Sequence, residues 1–367
     1  MVINIIKLLS TYCIISFAFL HSQTVSYANT KEQHIPVFLA ADNNYAPYVA
    51  VTMASILKNT KSFIDFYVLS DNISAKNKNK IANEKKWFKN FSLTFIELNN
   101  DKLQQIMKDT TVNSHITRTA YARIFIPELD VAKNISKGIY LDVDTIYQKD
   151  ISKLYNQNLD ENIVGTVSDC YKLSKNTSEA KLCTNKPSKN LQKNFNNPKE
   201  HVYFNSGMLL IDFNKWRKHK ITEKTIKLLQ NIKNREDNIF FFHDQDGLNI
   251  ILAKKNKNLD YIYNTTIHNA EKIFEKNYDA LKKVALIHYT CVPKPWFDKK
   301  TSYKTIWWNY VKYTDFEEEI ENAYKEYRLI FKIDSINKNI KKITIIVCVL
   351  ICLLSLCILL LLFFKKK

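Results

Sequence analysis

Residues 138–145 read GIYLDVDT, an apolar run that ends in two aspartates separated by one residue. The apolar residues before the pair predict a buried β-strand that ends in Asp142 and Asp144. Side chains alternate between the two faces of a strand, so the pattern predicts that both carboxylates point the same way. Adjacent carboxylates repel each other unless a proton or a cation separates them. Hard oxygen ligands suit Mg²⁺ or Mn²⁺, and we expect such an ion here, carrying a phosphorylated substrate.

An isolated Asp-x-Asp pair also fits a strand end that simply carries two acids. The remaining sequence is needed to distinguish this interpretation from a metal site. Strand and helix patterns alternate on both sides of the pair. Strands are predicted at residues 35–41, 63–69, 93–98, 163–167, 208–211 and 284–289, and helices at residues 49–57, 75–87, 118–126, 245–253 and 303–331. This alternation predicts an α/β fold with a mixed, mainly parallel sheet flanked by helices. Residues 171–200 are polar and long enough for a lid or substrate loop.

Both ends of the chain are typical of membrane targeting. Residues 343–364 are almost uninterruptedly apolar, and about 20 such residues span a bilayer. Residues 1–28 combine Lys7, a short apolar core and small residues at Ser26 and Ala28, which is typical of a secretory signal cut after Ala28, with an uncleaved anchor as the alternative. We therefore expect a signal peptide at 1–28, a folded domain at 30–300, a helical stem at 301–342, a transmembrane helix at 343–364 and a basic tail at 365–367.

The net charge of +18 does not indicate nucleic-acid binding, because the lysines are spread along the chain among Asn and Ile and no nucleic-acid-binding motif accompanies them. A basic face towards membrane lipid stays open. Only four glycines are present and no Gly-rich phosphate loop, which argues against P-loop and dinucleotide-binding motifs. Outside the terminal apolar segments the cysteines show no metal-type spacing, and Cys170 and Cys183 are a candidate pair. Glycosylation sequons occur at Asn72, Asn90, Asn134, Asn176 and Asn264.

Four further segments carry polar side chains in informative patterns. Residues 40–45 read AADNNY and follow the first strand, at the sheet edge where α/β folds bind nucleotides, although an ordinary polar turn fits too. Residues 204–212 read FNSGMLLID, with polar residues before a buried strand. Residues 243–249 read HDQDGLN, where a helix N-cap is the alternative interpretation of Asp244. Residues 288–296 read HYTCVPKPW, which offers the imidazole of His288 as a further ligand and Lys294 to neutralise a diphosphate.

Together these segments, in order from about residue 35 to residue 296, resemble the family 8 retaining glycosyltransferases, which include bacterial lipopolysaccharide galactosyl- and glucosyltransferases, glycogenin and galacturonosyltransferases. The resemblance implies a GT-A fold, a nucleotide-sugar donor that is usually a uridine diphosphate sugar, and Mn²⁺ with Mg²⁺ as the alternative. It implies that the metal ligands are Asp142, Asp144 and His288. It implies that the nucleoside is bound by Ala40, Ala41, Asp42, Asn44 and Tyr45.

The resemblance also assigns residues to the rest of the donor. Arg123 and Lys294 would contact the donor, and Asp244 and Gln245 would lie under the sugar ring as the catalytic pair. Asn205 would line the sugar site, with Asp169 towards the acceptor. The chain departs from the family at Cys291, where relatives commonly carry a glycine close to the diphosphate.

The implied reaction moves a hexose from a UDP-sugar to a hydroxyl of a glycan, glycolipid or glycoprotein with retention at the anomeric carbon. The sequence leaves open whether Gln245 acts as a nucleophile or the acceptor attacks from the front face. One alternative is a catalytically silent, membrane-bound nucleotide-sugar-binding protein. Another is a metal-dependent phosphoryl-transfer enzyme, which would not release nucleoside diphosphate by sugar transfer. A basic membrane-tethered adaptor is a third.

The location follows from the targeting signals combined with the expected donor. A domain across the membrane from the cytoplasm needs imported nucleotide sugars, so we expect a single-pass protein with a luminal catalytic domain in the endoplasmic reticulum or Golgi. The alternative is a bacterial inner-membrane protein whose domain faces the cytoplasm.

Overall fold

A sheet of seven strands organises the fold. The structure is a computed structural model that describes residues 33–98, 118–172, 181–183, 203–233, 243–274, 277–290, 294–297 and 301–365. The chain divides into two compact units, residues 1–34 and 35–367, and the description below concerns the second. The predicted signal peptide at 1–28 and Cys291 lie outside the described residues, as does most of the predicted loop at 171–200.

The described strands and helices follow the alternation that the sequence predicts. The strands are β1 (His34–Asp42), β2 (Phe63–Asp71), β3 (Phe91–Glu97), β4 (Lys137–Leu141), β5 (Thr145–Tyr147), β6 (Val164–Ser168), β7 (Cys170–Lys172), β8 (Lys181–Cys183), β9 (Phe204–Asp212), β10 (Asn256–Asn258), β11 (Thr265–Thr266) and β12 (Leu286–His288). The helices are α1 (Ala46–Asn59), α2 (Ala75–Ala82), α3 (Arg118–Phe125), α4 (Ser152–Tyr155), α5 (Phe213–Lys218), α6 (Ile221–Lys233), α7 (His243–Ile251), α8 (Ile267–Phe274), α9 (Tyr278–Leu281), α10 (Lys304–Val311) and α11 (Glu317–Lys365). The predicted helical region at 303–331 therefore contains two helices.

The large sheet has the strand order β10-β6-β9-β4-β1-β2-β3. Parallel pairs join β1 to β4, β2 to β3 and β6 to β10, whereas β9 runs antiparallel to both β4 and β6. The prediction of a mixed, mainly parallel sheet is confirmed. A small second sheet places β12 between β11 and β5, with His288 opposite Thr145. This pairing carries His288 to the end of the turn that joins β4 and β5.

Two clusters of buried side chains cover the large sheet. In β1, Val37 and Leu39 belong to one cluster and Phe38 and Ala40 to the other. This alternation is what a strand buried on both faces requires, because successive side chains point to opposite sides. The sequence of β1 is accordingly apolar throughout its centre, without polar residues on alternate positions.

The two aspartates do not lie on a strand, which corrects the prediction. β4 ends at Leu141 and β5 begins at Thr145, so Asp142 and Asp144 occupy the turn between them. The Thr145 hydroxyl donates to the carbonyl oxygen of Asp142 at 2.7 Å and so closes this turn. The carboxylates converge because of this turn geometry, and strand alternation is not the cause.

The membrane prediction also needs correction. Across the part of the chain that the structure describes, no helix is long and apolar enough to cross a membrane. The prediction of a single-pass membrane protein, in the endoplasmic reticulum or Golgi or in a bacterial inner membrane, is therefore wrong. The transmembrane helix predicted at 343–364 and the predicted contact with membrane lipid are not supported.

Glu84 is a buried acid in the short 3-10 helix Asn83–Lys86. Within the described residues neither of its carboxylate oxygens has a hydrogen-bond partner. Burial raises the pKa of Glu84 well above its usual value. The folded protein therefore holds this proton at pH values where the unfolded chain has lost it, and the contribution of Glu84 to stability falls as the pH rises above about 4.3.

Replacing this acid with its neutral isostere should remove the pH-dependent penalty. We expect Glu84→Gln to increase the free energy of unfolding at pH 7.5 by at least about 1 kcal/mol, because one pKa unit corresponds to about 1.36 kcal/mol. At pH 4 the gain should be small. Urea denaturation at both pH values measures the difference. The exposed Glu223→Gln variant is the control, and an equal effect of Glu84→Gln at both pH values would contradict the argument.

Candidate active site

Three metal-ligand side chains converge at the turn between β4 and β5. Ligand atoms of Asp142, Asp144 and His288 all lie within 4.8 Å of one another. His288 Nε2 lies 3.0 Å from Asp144 Oδ1 and 3.8 Å from Asp142 Oδ2. The structure thus brings together the three residues that the sequence nominates as ligands, from segments far apart in the chain.

The chemistry of this cluster fits a divalent cation. Asp144 Oδ1 is buried and has no hydrogen-bond partner among the described residues, although it points at the imidazole. An ion between these atoms would satisfy that oxygen. Two carboxylates and one imidazole are a donor set suited to a cation such as Mn²⁺. The cluster therefore offers a place for a metal, whose identity the geometry leaves undecided.

Lys294 approaches the same cluster from the loop after β12. Its Nζ atom lies 2.6 Å from Asp144 Oδ2 and donates to the carbonyl oxygen of Tyr289 at 2.7 Å. Burial alone would lower the pKa of Lys294, but the charge of Asp144 and the hydrogen bond to it outweigh burial and raise the pKa. Burial would likewise raise the pKa of Asp144, yet the charge of Lys294 and its hydrogen bond hold it below its usual range. Asp144 is therefore ionised.

Arg123 is the second cation at the site and is buried in it. Its guanidinium pairs with Asp142 Oδ1 at 3.0 Å and with Asp244 Oδ2 at 3.2 Å. Nη1 also donates to the carbonyl oxygen of Ser206 at 2.7 Å. Burial raises the pKa of Asp244 to about 6, with Asp142 adding to the rise and Arg123 opposing it. Arg123 thus holds two site carboxylates and one strand carbonyl in fixed positions.

Gln245 lies beside this cluster with both ends of its amide hydrogen-bonded. Gln245 Oε1 accepts from the backbone N–H of Ser206 at 2.9 Å. Gln245 Nε2 donates to the Tyr203 hydroxyl at 3.0 Å, and that hydroxyl donates to Asp246 Oδ1 at 2.5 Å. A backbone N–H can only donate, so the carbonyl end of the amide must face Ser206. The atom of Gln245 with a hydrogen still to offer is Nε2.

A cavity of about 180 Å³ opens next to the cluster, and its lining includes most of the predicted nucleoside turn. Ala40, Ala41 and Tyr45 line it, together with Arg123 and both aspartates of the turn. Asp42 instead accepts from the backbone N–H of Tyr45 at 3.0 Å and so caps a short helix. Asn44 is exposed and does not belong to the lining.

The remaining predicted residues, Asp169 and Asn205, are both buried. Asp169 is buried, and its backbone N–H donates to the carbonyl oxygen of Tyr203 at 2.9 Å. Asn205 Oδ1 accepts from the backbone N–H of Gly207 at 3.0 Å and from Asn264 Nδ2 at 2.9 Å. Sequence reasoning missed Tyr203 and Asn264 as parts of the site. The only signal that Asn264 carries in the sequence is its glycosylation sequon, which indicates something else.

Gly207 closes the back of the site. Its carbonyl oxygen accepts from the backbone N–H of Asp142 at 2.8 Å, so β9 lies directly against the turn. A Cβ atom at this position would lie 2.2 Å from His288 Cε1 and 2.6 Å from Asp142 Oδ2. Both distances are far below any normal contact. The ligand cluster therefore requires a residue without a side chain at position 207.

Comparison with known proteins identifies the family. The family model of glycosyl transferase family 8 matches residues 36–300. General stress protein A of Bacillus subtilis is 28% identical, over 77% of this chain and 95% of its own length. A lipopolysaccharide 1,2-glucosyltransferase of Escherichia coli K12 is 29% identical, over 73% of this chain and 74% of its own.

Solved structures show the same fold. The galactosyltransferase LgtC, solved in complex with donor and acceptor sugar analogs, superposes with a TM-score of 0.61 at 22% identity, covering 77% of this chain and 96% of its own. The bifunctional glycosyltransferase WbbM, solved in its apo form, also gives a TM-score of 0.61 at 22% identity, over 80% of this chain and 52% of its own. These likenesses confirm the predicted GT-A-like fold.

Gly207→Ala tests the packing of the cluster. We expect this variant to lose at least about tenfold in affinity for Mn²⁺, used as a probe, because the new methyl group must displace His288 or Asp142 and perturbing a metal site's surroundings typically costs about 10–100-fold. Electron paramagnetic resonance of free Mn²⁺ measures the affinity. Gly247→Ala is the matched control, since its Cβ atom would come no closer than 3.2 Å to a leucine side chain. Equal Mn²⁺ binding by both variants would refute the assignment.

Proposed function

The chain belongs to glycosyl transferase family 8 and is a glycosyltransferase. We propose that it transfers a hexose from a UDP-sugar to an acceptor hydroxyl in a Mn²⁺-dependent reaction. The acceptor would be a glycan, a glycolipid or a glycoprotein. The observation that carries the proposal is the Asp142–Asp144–His288 cluster, with Lys294 beside it, at the edge of a cavity suited to a nucleoside. Family membership favours neither a phosphoryl-transfer enzyme nor a silent binding protein.

The donor would be held from its two ends. We propose that Ala40 and Ala41 allow the nucleoside to approach the backbone of β1 and that Tyr45 provides its aromatic face. The diphosphate would lie at the ligand cluster, where Lys294 supplies a positive charge. Two proteins similar to this chain support a sugar donor: LgtC was solved with donor and acceptor sugar analogs, and the Escherichia coli relative is named as a glucosyltransferase. Residues 30–300 would form the catalytic domain and 301–342 a helical stem.

The mechanism follows from what each side chain is free to do. Asp142, Asp144 and His288 would hold a divalent cation, which would supply Lewis acidity towards the diphosphate. The ammonium of Lys294 stabilises the negative charge that develops on that diphosphate. Arg123 keeps Asp142 and Asp244 oriented by pairing with both. These groups favour the leaving of the diphosphate without forming a bond to the sugar themselves.

Gln245 is poorly arranged to attack the anomeric carbon, because its carbonyl oxygen already accepts from Ser206. We therefore propose front-face transfer. The acceptor oxygen forms a bond to the anomeric carbon on the side from which the diphosphate oxygen leaves, and the proton of the acceptor hydroxyl passes to that leaving oxygen. Gln245 then serves through Nε2, as a hydrogen-bond donor towards the sugar or the diphosphate.

The reaction itself is tested with the full chain and a panel of UDP-sugars. We expect at least one sugar to give UDP release that depends on Mn²⁺ and stops with a chelator. Asp144→Asn should abolish the release, and Lys294→Ala should lower kcat by roughly 10²-fold, the size of effect known for loss of one charge-stabilising donor. Lys257→Ala is the control, because this lysine pairs with Asp160 elsewhere on the surface. Release of inorganic phosphate in place of UDP would mean phosphoryl transfer.

The role of Gln245 is tested by truncation. Removing a covalent nucleophile typically costs about 10⁶-fold in kcat, whereas removing one hydrogen-bond donor costs about 10²–10³-fold. We therefore expect Gln245→Ala to retain measurable transfer, with a loss of no more than about 10³-fold in kcat. Gln157→Ala, whose amide binds the carbonyl oxygen of Lys153, is the control. A loss approaching 10⁶-fold would restore the nucleophile mechanism.

A further inference from the structure

We propose that Asn264 is a positioning residue that keeps a proton on Nδ1 of His288 and so leaves Nε2 to face the metal ion. The proposal rests on the metal-dependent function proposed above. It concerns a side chain that precedes β11 and lies outside the motifs by which the sequence indicates the site.

The direction of every hydrogen bond in this part of the site follows from one backbone amide. The N–H of Gly207 can only donate, and it donates to Asn205 Oδ1 at 3.0 Å. The same oxygen lies 2.9 Å from one end of the Asn264 side chain. Because an oxygen needs a donor there, that end of Asn264 must be its amide nitrogen, Nδ2. The other end, Oδ1, then points away from Asn205.

Asn264 Oδ1 faces the imidazole at a distance of 3.0 Å from His288 Nδ1. A carbonyl oxygen only accepts hydrogen bonds, so Nδ1 must carry a hydrogen to make this contact favourable. In the neutral imidazole the other nitrogen, Nε2, then has the free lone pair. That atom is the one that lies 3.0 Å from Asp144 Oδ1 and 3.8 Å from Asp142 Oδ2. A metal binds the unprotonated imidazole nitrogen. The series of hydrogen bonds that starts at Gly207 therefore leaves Nε2, the nitrogen that faces the aspartates, free to bind it.

Packing holds this chain of hydrogen bonds in one arrangement. Asn205, Asn264 and His288 are exposed to solvent by only 6%, 3% and 2%. β11 starts immediately after Asn264 and pairs in parallel with β12, with Thr266 opposite His288. The backbone that carries the asparagine and the backbone that carries the imidazole are therefore joined directly. Water has little access to replace any of the three contacts.

The same burial bears on the glycosylation sequon at Asn264. Both ends of its amide are engaged, with Asn205 and with His288. A glycan on this nitrogen would break the contact with Asn205 and would not fit inside the folded protein. The side chain is thus used for the site and is not an acceptor of sugar in the native fold.

Two substitutions separate the hydrogen bond to His288 from simple packing. Asn264→Leu keeps a similar volume but offers no acceptor, and we expect its affinity for Mn²⁺ to fall by about 10–100-fold, the usual effect of losing a partner behind a metal ligand. Asn264→Asp keeps an acceptor for Nδ1 but cannot donate to Asn205. We expect it to bind Mn²⁺ far more tightly than the leucine variant, even though it is the less stable of the two to heat.

The metal-free protein gives a readout that is independent of metal and activity. In protein labelled with ¹⁵N-histidine we expect a slowly exchanging Nδ1–H resonance that disappears in His288→Ala, which assigns it. It should persist in Asn264→Asp and lose its protection in Asn264→Leu. Asn269→Leu, at a buried asparagine of α8, is the control and should change neither this resonance nor Mn²⁺ affinity.

The outcomes separate this proposal from the proposed function. A resonance and a Mn²⁺ affinity that stay unchanged in Asn264→Leu would overturn the role of Asn264. So would an affinity in Asn264→Asp as low as in the leucine variant, because the effect would then follow packing. If the unaltered protein binds no Mn²⁺, the metal-dependent function fails, while the Nδ1–H resonance still decides whether Asn264 orients the imidazole.

Discussion

The site depends on two consecutive backbone amides of β9, those of Ser206 and Gly207. A backbone N–H cannot reverse its role, so each of these groups fixes the direction of the hydrogen bonds that follow it. From Ser206 the order runs through Gln245 to Tyr203 and Asp246. From Gly207 it runs through Asn205 and Asn264 to the imidazole of His288. Side-chain amides and imidazoles can adopt either of two orientations. Here the backbone N–H groups of Ser206 and Gly207 select one orientation for each.

The same strand also helps to balance the charges of the site, because it anchors Arg123. Asp142, Asp144 and Asp244 place three carboxylates close together, and such a cluster is unstable without cations. Arg123 compensates Asp142 and Asp244 while its guanidinium is anchored on the carbonyl oxygen of Ser206. Lys294 compensates Asp144. The oxygen of Asp144 that neither cation reaches is the one next to His288, and that is where a metal ion would complete the balance.

The fold could be predicted from the sequence because β1, β2 and β4 are apolar segments whose pattern has few alternatives. The ligands could be named because Asp-x-Asp and a later histidine have a chemical meaning together. The turn at Asp142 could not be seen, since an apolar run followed by two acids looks the same whether the strand continues or ends at Leu141. Asn264 could not be seen either, because its role arises from the pairing of β11 with β12, and no local pattern encodes that pairing.

Asn205 shows most clearly what separates a motif from its geometry. The resemblance assigns it to the sugar site, and its Oδ1 atom accepts hydrogen bonds from Gly207 and Asn264. A polar residue within a motif can therefore also serve the site by orienting its neighbours, here the amide of Asn264. Gly207 also serves the site without being a ligand. It has no side chain, and the imidazole of His288 and the carboxylate of Asp142 occupy the space that a side chain would fill. Asn205 and Gly207 of β9 thus determine how the ligand side chains are oriented and packed, although neither is itself a ligand.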